Sequence, residues 1–578
     1  MNKSFRRKII YILAIIGLLL PLYALGRPKV GAISLLRDRH NMGQTYLGEL
    51  DPTSESMRLA TLGLKGPAAS ILWLRADYYK EEKYFDRFKA TLNQIAKLQP
   101  HFISVWQHQA HNLSFNVSPE FEDYRQRYEW VKKGIDYLVQ GTKYNTKKPI
   151  LQYDLGHYVG NKIGKFDEKK QYRELFRKDN EFHQYFAEQG LAIETDGVGY
   201  DQRPDNWLVG KLWFKVATDS YQRGNRIAKS PHLLYSYFPL WQMYYGEAMQ
   251  TEGVLDDSCR FAWEQGGREW AEFGNVSLPW SGDGQIRLLD SATEGANIDA
   301  VKKDFNQKTA DIRKRIFERR FARLPDSMKA AYSKPAEERT LEERELAMEA
   351  ERMSEPPYQE VVAECPKETQ VSLLQITTDL AQREEKLRIT NIYRQNVNYP
   401  YWELRAQAEQ KPYMVDARRL LYEADKMIDS ADIKGALENY DKAWTLWNIT
   451  FQRFPSMMTD TEEVGDSVAK SINRYKKLME DELAPDFVLN WFLDYYKTSR
   501  NPTLGMEGEK MMDEFNKRAA LFKDEPSFTQ SAEAIEYFNV RIPKPSAGKE
   551  NAPSNDGESP SDSASARPPK LENPDSQR

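Results

Sequence analysis

The chain has 578 residues, with 82 Lys and Arg against 86 Asp and Glu, for a net charge of −4. That balance excludes the global basic field that draws a protein to nucleic acid or to an anionic membrane surface. Hydrophobic residues at 40% and charged residues at 29% describe a chain that is mostly water-soluble and folded, long enough for three or four domains.

At the N-terminus, Lys3, Arg6, Arg7 and Lys8 precede an uncharged run from Ile9 to Leu25. Such a run reaches the short end of a bilayer span, and the basic cluster favours a cytoplasmic N-terminus with the remainder exported. The expected address is therefore the cytoplasmic (inner) membrane, single-pass, with the bulk extracytoplasmic. The run is longer than a usual signal core, which favours an uncleaved signal anchor. The alternative is secretion after signal cleavage at the small residues Ala24 and Gly26. Residues 1–30 are read as the transmembrane helix and 31–60 as a connector.

Helical patterning begins after Gly66-Pro67. Ile71, Leu72, Trp73, Ala76 and Tyr79 give amphipathic spacing, and a second helix follows over about 87–98, closed by Pro100. The next unit starts near His101, with Trp106 and Ala110 on one face, and a longer helix carries Tyr124, Tyr128, Val131, Ile135 and Leu138. Then comes the phrase ILQYDLGHYVGNKIGKFDEKKQY at 150–172, in which Gly156 lets two helices touch, Gly164 ends the first helix and Phe166 opens the second. Between 178 and 206 the pattern weakens, and Asp196-Gly197-Val198-Gly199 and Arg203-Pro204-Asp205 read as turns. Glu194, Asp196, Asp201 and Asp205 lack the D-x-D-x-D-G order of a calcium loop and read as a solvated acidic loop.

Helices resume over 207–222, 233–250 and 256–273. Between Lys302 and Lys334 basic residues outnumber acidic ones by eleven to four; between Glu337 and Arg352 acidic ones lead seven to three. That order predicts either an antiparallel charged hairpin or two solvated helix faces. A second strong repeat runs from Ala417 to Pro455, with Ala424, Ala436, Tyr440 and Ala443 at repeat separations. The tail at 541–578 is Ser, Pro, Asn, Asp and Gly with almost nothing apolar, and is expected to be disordered. The body divides into a helical repeat domain at 61–285, a charged helical region at 286–400 and a C-terminal helical domain at 401–540. The predicted class is all-α, a solenoid of helical pairs with little sheet.

The units at 71–100, 106–146, 150–172, 240–273 and 417–455 resemble divergent tetratricopeptide repeats (TPR-like). More narrowly, VWQHQAHNLSFN at 105–116, NKIGKFDEKKQYRELFRKD at 161–179 and NYPYWELRAQAEQ at 398–410 are similar to a membrane-anchored family of planctomycete-type bacteria. Some of its members carry the label "iron responsive element", and nothing in this sequence supports reading that as an iron site. The repeat resemblance implies that the first helix of each pair lines a groove in which peptides bind. Carried over in register, it puts Asp77, His111 and His157 in one row, Trp73 and Tyr153 at a shared aromatic position, and Lys80, Gln107 and Asn161 facing inward.

A groove with an aromatic floor and a polar row suits an extended protein segment. His108, His111 and His157 raise a metal, but hydrogen-bonded histidines are the preferred reading. The sequences G-x-S-x-G, H-E-x-x-H and G-x-x-x-x-G-K-[ST] are absent, so no catalytic residue, cofactor or metal ligand is assigned. Cys259 and Cys365 lie outside any C-x-x-C context; unpaired buried thiols are preferred over a disulfide. The functional expectation is a scaffold or binding platform in the bacterial cell envelope, acting by protein-protein interaction with protein or peptide partners and no nucleic acid. The alternative is an exported enzyme or enzyme subunit on an α-repeat fold.

Overall fold

The computed structural model describes residue 17 and residues 65–166, 168–458, 464–480, 482–501 and 504–521. The expected anchor, apart from residue 17, and the connector and tail lie outside the described residues. Within them no helix is long and apolar enough to cross a membrane. The described chain is all-α, with 23 α-helices and one two-residue β-hairpin.

Helices α1 (Lys65–Glu81) and α2 (Phe85–Leu98) pair with Ala76 fully buried between them. Helix α3 (Ile103–His111) packs on α4 (Tyr124–Tyr144), whose first turn is capped by the Asp123 carboxylate accepting from the Arg125 N–H at 3.0 Å. Helix α5 (Ile150–His157) packs on α4 and then on α9 (Asn206–Gln222). The expected pairing of the 150–164 helix with the helix after Phe166 is thus replaced by a longer-range one. The glycines explain this. A Cβ at Gly156 would meet the Phe214 ring, and one at Gly160 would fall on the Trp241 indole nitrogen. Both small positions are filled by aromatics that arrive more than 50 residues later.

Between α5 and α9 lie α6 (Lys169–Lys178), α7 (Asn180–Glu188) and α8 (Ile193–Asp196). Helices thus fill the first part of the weakly patterned stretch 178–206, and the turns expected around 197–199 and 203–205 are present, with the Gly199 N–H donating to the Arg203 carbonyl at 2.7 Å. Asp179 caps α7 through the Phe182 N–H at 3.1 Å, and Phe182 and Phe186 bury one face. Of the four acidic residues expected to be solvated, Glu194 and Asp196 are exposed, and Asp205 is not. Asp205 is 1% exposed and receives Arg173 at 2.8 Å and Arg177 at 3.1 Å; both arginines also reach Glu252 at 2.7 Å. Burial would raise the Asp205 pKa, but the two guanidiniums and the Trp207 N–H outweigh it and hold the carboxyl below its usual range.

Helices α10 (Pro231–Glu252) and α11 (Asp257–Gly274) follow as a packed pair. The hairpin of β1 (Leu278–Pro279) and β2 (Gln285–Ile286) then opens an arm of six helices. These are α12 (Ser291–Lys308), α13 (Ala310–Phe321), α14 (Asp326–Ser333), α15 (Leu341–Ser354), α16 (Tyr358–Glu364) and α17 (Lys367–Asn396). The charged segments do pair: α13 and α14 of the basic run pack against α15 of the acidic run, and Lys334 reaches Glu343 at 2.7 Å. Other ion pairs reach further along the chain. Arg319 reaches Glu360 at 2.7 Å and Glu364 at 2.6 Å, Arg320 reaches Glu360 at 2.9 Å, and Arg313 pairs with Glu355, all beyond the acidic run at 337–352. Such exposed pairs contribute little. The arm has its own apolar centre in Phe305, Ile316, Val361, Val362, Cys365 and Leu373. Both cysteines are free and buried.

After the arm the chain returns to the body. Helix α18 (Tyr399–Glu409) packs on α11, with the Trp270 indole N–H donating to the Tyr399 carbonyl at 3.2 Å. Helices α19 (Pro412–Asp429) and α20 (Ile433–Arg453) form a close pair around the fully buried Ala424, Ala436, Tyr440 and Ala443. The chain continues as α21 (Val464–Leu478), α22 (Asn490–Ser499) and α23 (Gly505–Leu521).

The junction across the arm's base is ionic. Glu409 is fully buried and accepts from Arg418 and from Gln250 of α10 at 2.8 Å, with Arg405 alongside at 3.6 Å. Burial opposes the charge, and the guanidiniums of Arg418 and Arg405 with the Gln250 amide overcome it, so the Glu409 pKa lies below its ordinary value.

Candidate functional site

On α1, Trp73, Asp77 and Lys80 are spaced i, i+4, i+7 and share one face. Trp73 is half-buried and meets the His108 ring edge-on at 5.3 Å, and the Lys80 ammonium donates to Asn112 Oδ1 at 3.4 Å, which joins α1 to the α3 segment. Gln107 donates to Asp154 Oδ2 at 2.7 Å and joins α3 to α5. His111 stacks on Phe115 at 4.9 Å, Phe115 meets Tyr158 and Phe166 edge-on at 5.4 Å, and the Lys162 ammonium sits 4.6 Å over Phe115. These contacts form a strip across successive helices.

The sequence alone does not reveal that both α3 and α5 run on into π-helical turns, Asn112–Val117 and Tyr158–Lys162. Each begins directly after the histidine of the matched register, His111 or His157. A π-turn widens the helix by one residue and loosens its carbonyls, and such turns are frequent at functional sites. Here the loosened groups are held by side chains from elsewhere. The Trp241 indole donates to the Gly156 carbonyl at 3.1 Å, and Asn206 Nδ2 donates to Val159 and Gly160 at 3.2 and 2.9 Å. Each segment also pairs a histidine with an asparagine four residues on. The His108–Asn112 contact is 3.1 Å and the His157–Asn161 contact is 3.2 Å.

His157 is enclosed by the rings of Tyr237 at 4.5 Å, Tyr153 at 4.7 Å, Phe214 at 5.1 Å and Trp241 at 5.3 Å. Burial, assisted by the Lys229 ammonium, pulls its pKa down to about 4, so the ring is neutral at pH 7. Burial acts oppositely on Asp154, pushing it up to about 6 against the pull of Gln107 and Lys229. At the far end of the strip Phe166, Tyr237, Leu240, Trp241 and Tyr244 line a recess of about 500 Å³, rimmed by His157, Asn161 and Lys165. The Lys165 ammonium lies 3.8 Å from the Tyr244 ring centre, and Asn161 Oδ1 is buried with no hydrogen-bond partner.

The expected groove positions are corrected in three places. Tyr153 is 5% exposed, covered by Phe214 and Tyr237, and forms core rather than groove floor. Asp77 is exposed, and the charges that act on His111 are His108, Lys80 and Lys162 instead. His157 is joined to α10 rather than to His111. Trp73, Lys80, Gln107, His111, His157 and Asn161 do share the strip. Phe115, Tyr158, Lys162, Tyr237 and Trp241 were missed; the His-x-x-x-Asn spacing was readable, but the contribution of α10 was not. Among the described residues no group of three His, Cys, Asp or Glu side chains is placed to hold a metal ion.

A second cavity, of about 520 Å³, lies between α9, α10 and α11. Its wall includes Lys211, whose ammonium is held by Glu269 at 2.6 Å and Gln242 at 2.8 Å and whose pKa burial lowers. Comparison with protein-family models and with curated proteins finds no match to this chain.

Proposed function

We propose that the protein is a membrane-anchored, extracytoplasmic binding platform built of TPR-like helical pairs, whose partner is a protein segment lying along the strip from Trp73 to Trp241. The supporting observation is the strip itself. Successive helices join through side-chain contacts there, yet leave His108, His111 and Phe166 exposed and Lys80, Phe115 and His157 half-exposed. Such a mix of aromatic area and unsatisfied polar edges is what an extended segment uses for affinity and register.

The basic cluster ahead of the apolar run at 9–25 supports the address. A reporter fused after residue 60 is expected to be active only outside the cytoplasm. Affinity capture from solubilised membranes is expected to lose its specific partner in the doubly substituted Trp73→Ala, His111→Ala protein while the circular dichroism is unchanged. Partners that are retained at wild-type yield would remove the strip from the account.

A second reading, an exported enzyme or enzyme subunit, draws on the Lys211–Glu269 pair in its cavity, since a desolvated lysine beside a carboxylate is a chemical as well as a structural device.

A further inference from the structure

The cavity between α9, α10 and α11 uses a different face of α10 from the strip. It takes Phe238, Gln242 and Tyr245, each one position on from the strip's Tyr237, Trp241 and Tyr244 and so turned about 100° around the helix. Lys211 of α9 lines this cavity and is only 5% exposed. Its ammonium is fixed between Glu269 Oε1, Gln242 Oε1 and the Phe238 ring, whose centre lies 4.4 Å away. Burial is the largest influence on this group and lowers its pKa; Lys215 adds to the effect, and Glu269 and Asp196 oppose it. Lys211 therefore gives up its proton more readily than a surface lysine does. Glu269 can take that proton. Its Oε1 also accepts from Gln265 at 3.0 Å, but its Oε2 is buried with no hydrogen-bond partner among the described residues. The charged groups of the wall balance, Lys211 and Lys215 against Asp196 and Glu269, and Leu208, Leu212 and Ala262 give it a buried apolar side. A buried amine beside a carboxylate, in a chamber without net charge, is suited to attack on a carbonyl.

We propose that this cavity binds an uncharged aldehyde or ketone with an apolar substituent, and that Lys211 holds it as an imine. Glu269 removes one proton from the Lys211 ammonium. The freed nitrogen lone pair forms a bond to the carbonyl carbon while the C=O π electrons move to oxygen. The nitrogen passes a second proton to that oxygen, giving a carbinolamine. Glu269 then returns its proton to the hydroxyl, which departs as water as the nitrogen lone pair closes the C=N bond. The iminium carries the charge of the original ammonium and faces the restored carboxylate, and no oxidant or reductant is consumed. The substituent rests on Leu208, Leu212 and Phe238. The site goes beyond the platform reading and does not depend on it, since no residue of the strip takes part.

The probe is benzaldehyde, limiting in amount, added with sodium cyanoborohydride to the full chain in neutral detergent near neutral pH. Peptide mass spectrometry then reads benzylation at each lysine. Lys211 is expected to be benzylated at least about tenfold more than the exposed Lys215, a modest share of what binding and orientation supply. Glyoxylate, an aldehyde that must bring a carboxylate out of water, is expected to lose that preference. Ser258→Trp changes an exposed position on the cavity wall. It is expected to cut labelling of Lys211 several-fold while labelling of Lys215 and the circular dichroism stay unchanged. Labelling of Lys211 no greater than that of Lys215, an equal preference with glyoxylate, or labelling insensitive to Ser258→Trp overturns the inference. Labelling of Lys211 only in urea does so too, and leaves Lys211 as an ion-pair partner of Glu269. The doubly substituted Trp73→Ala, His111→Ala protein is expected to trap the aldehyde as the wild type does, so failure of the strip and failure of this site are read separately.

Discussion

Replacing Glu409 with alanine is expected to destabilise the folded body by about 3–5 kcal/mol at neutral pH, the usual cost of leaving buried cations without their carboxylate. Glu409 has no solvent exposure and gathers Arg418, Arg405 and Gln250 around it. Its loss takes the carboxylate from Arg418 and one of two from Arg405, which keeps Glu247 at 3.4 Å, where α10, α18 and α19 meet. Because the folded-state pKa of Glu409 lies below the unfolded value, its contribution is present above the ordinary carboxylate range and is lost as pH falls through the folded-state pKa. Asp205 behaves in the same way at the junction of α6, α9 and α10. Urea unfolding near pH 7 and near pH 3 checks both points. The wild type loses stability on acidification, and Glu409→Ala loses less, having already lost that term. An alanine variant as stable as the wild type at neutral pH would show that the ionic junction does not hold the chain together across the arm.

Trp241→Ala is expected to cost a similar amount, about 3–5 kcal/mol, as large aromatic truncations in cores do. The Trp241 ring is 1% exposed and touches Trp207, Phe214, Tyr237 and Tyr244, and its N–H holds the Gly156 carbonyl. Trp241→Phe keeps most of the ring area but abandons that carbonyl, and is expected to cost about 1–2 kcal/mol. The two variants separate packing from the hydrogen bond in thermal or denaturant unfolding. Equal losses would mean that the bond carries the whole effect. No loss in Trp241→Phe would mean that the π-turn at Tyr158–Lys162 does not depend on it.

The helical class was legible because helical spacing of apolar residues survives without knowledge of neighbours. The pairing of α19 with α20 was legible for the same reason: Ala424 and Ala436 are small residues at a fixed separation within one short hairpin, and both are fully buried. The partner of α5 was not. Gly156 and Gly160 announce close approach, but nothing local says that Phe214 and Trp241 supply the approaching rings. In the stretch 178–206 the turns around 197–199 and 203–205 were legible from their Gly, Pro and Asp residues, whereas nothing local says that Asp179 and Asp205 cap helices or that Asp205 neutralises buried arginines. On the strip, the register carried over from the repeat resemblance pointed to Lys80, His111 and His157. It mistook Tyr153 for a groove residue because the covering ring, Tyr237, belongs to a helix beyond the reach of any local pattern.

The platform reading is tested most directly by a photoactivatable crosslinker placed in the full-length protein in native membranes, at Gln107 in the strip and, separately, at Glu345 on the arm. The account predicts that the Gln107 probe yields a discrete crosslinked protein that disappears in Lys80→Gln, and that the Glu345 probe does not yield the same product. Capture of that protein from Glu345 alone, or no crosslink at Gln107, would contradict it.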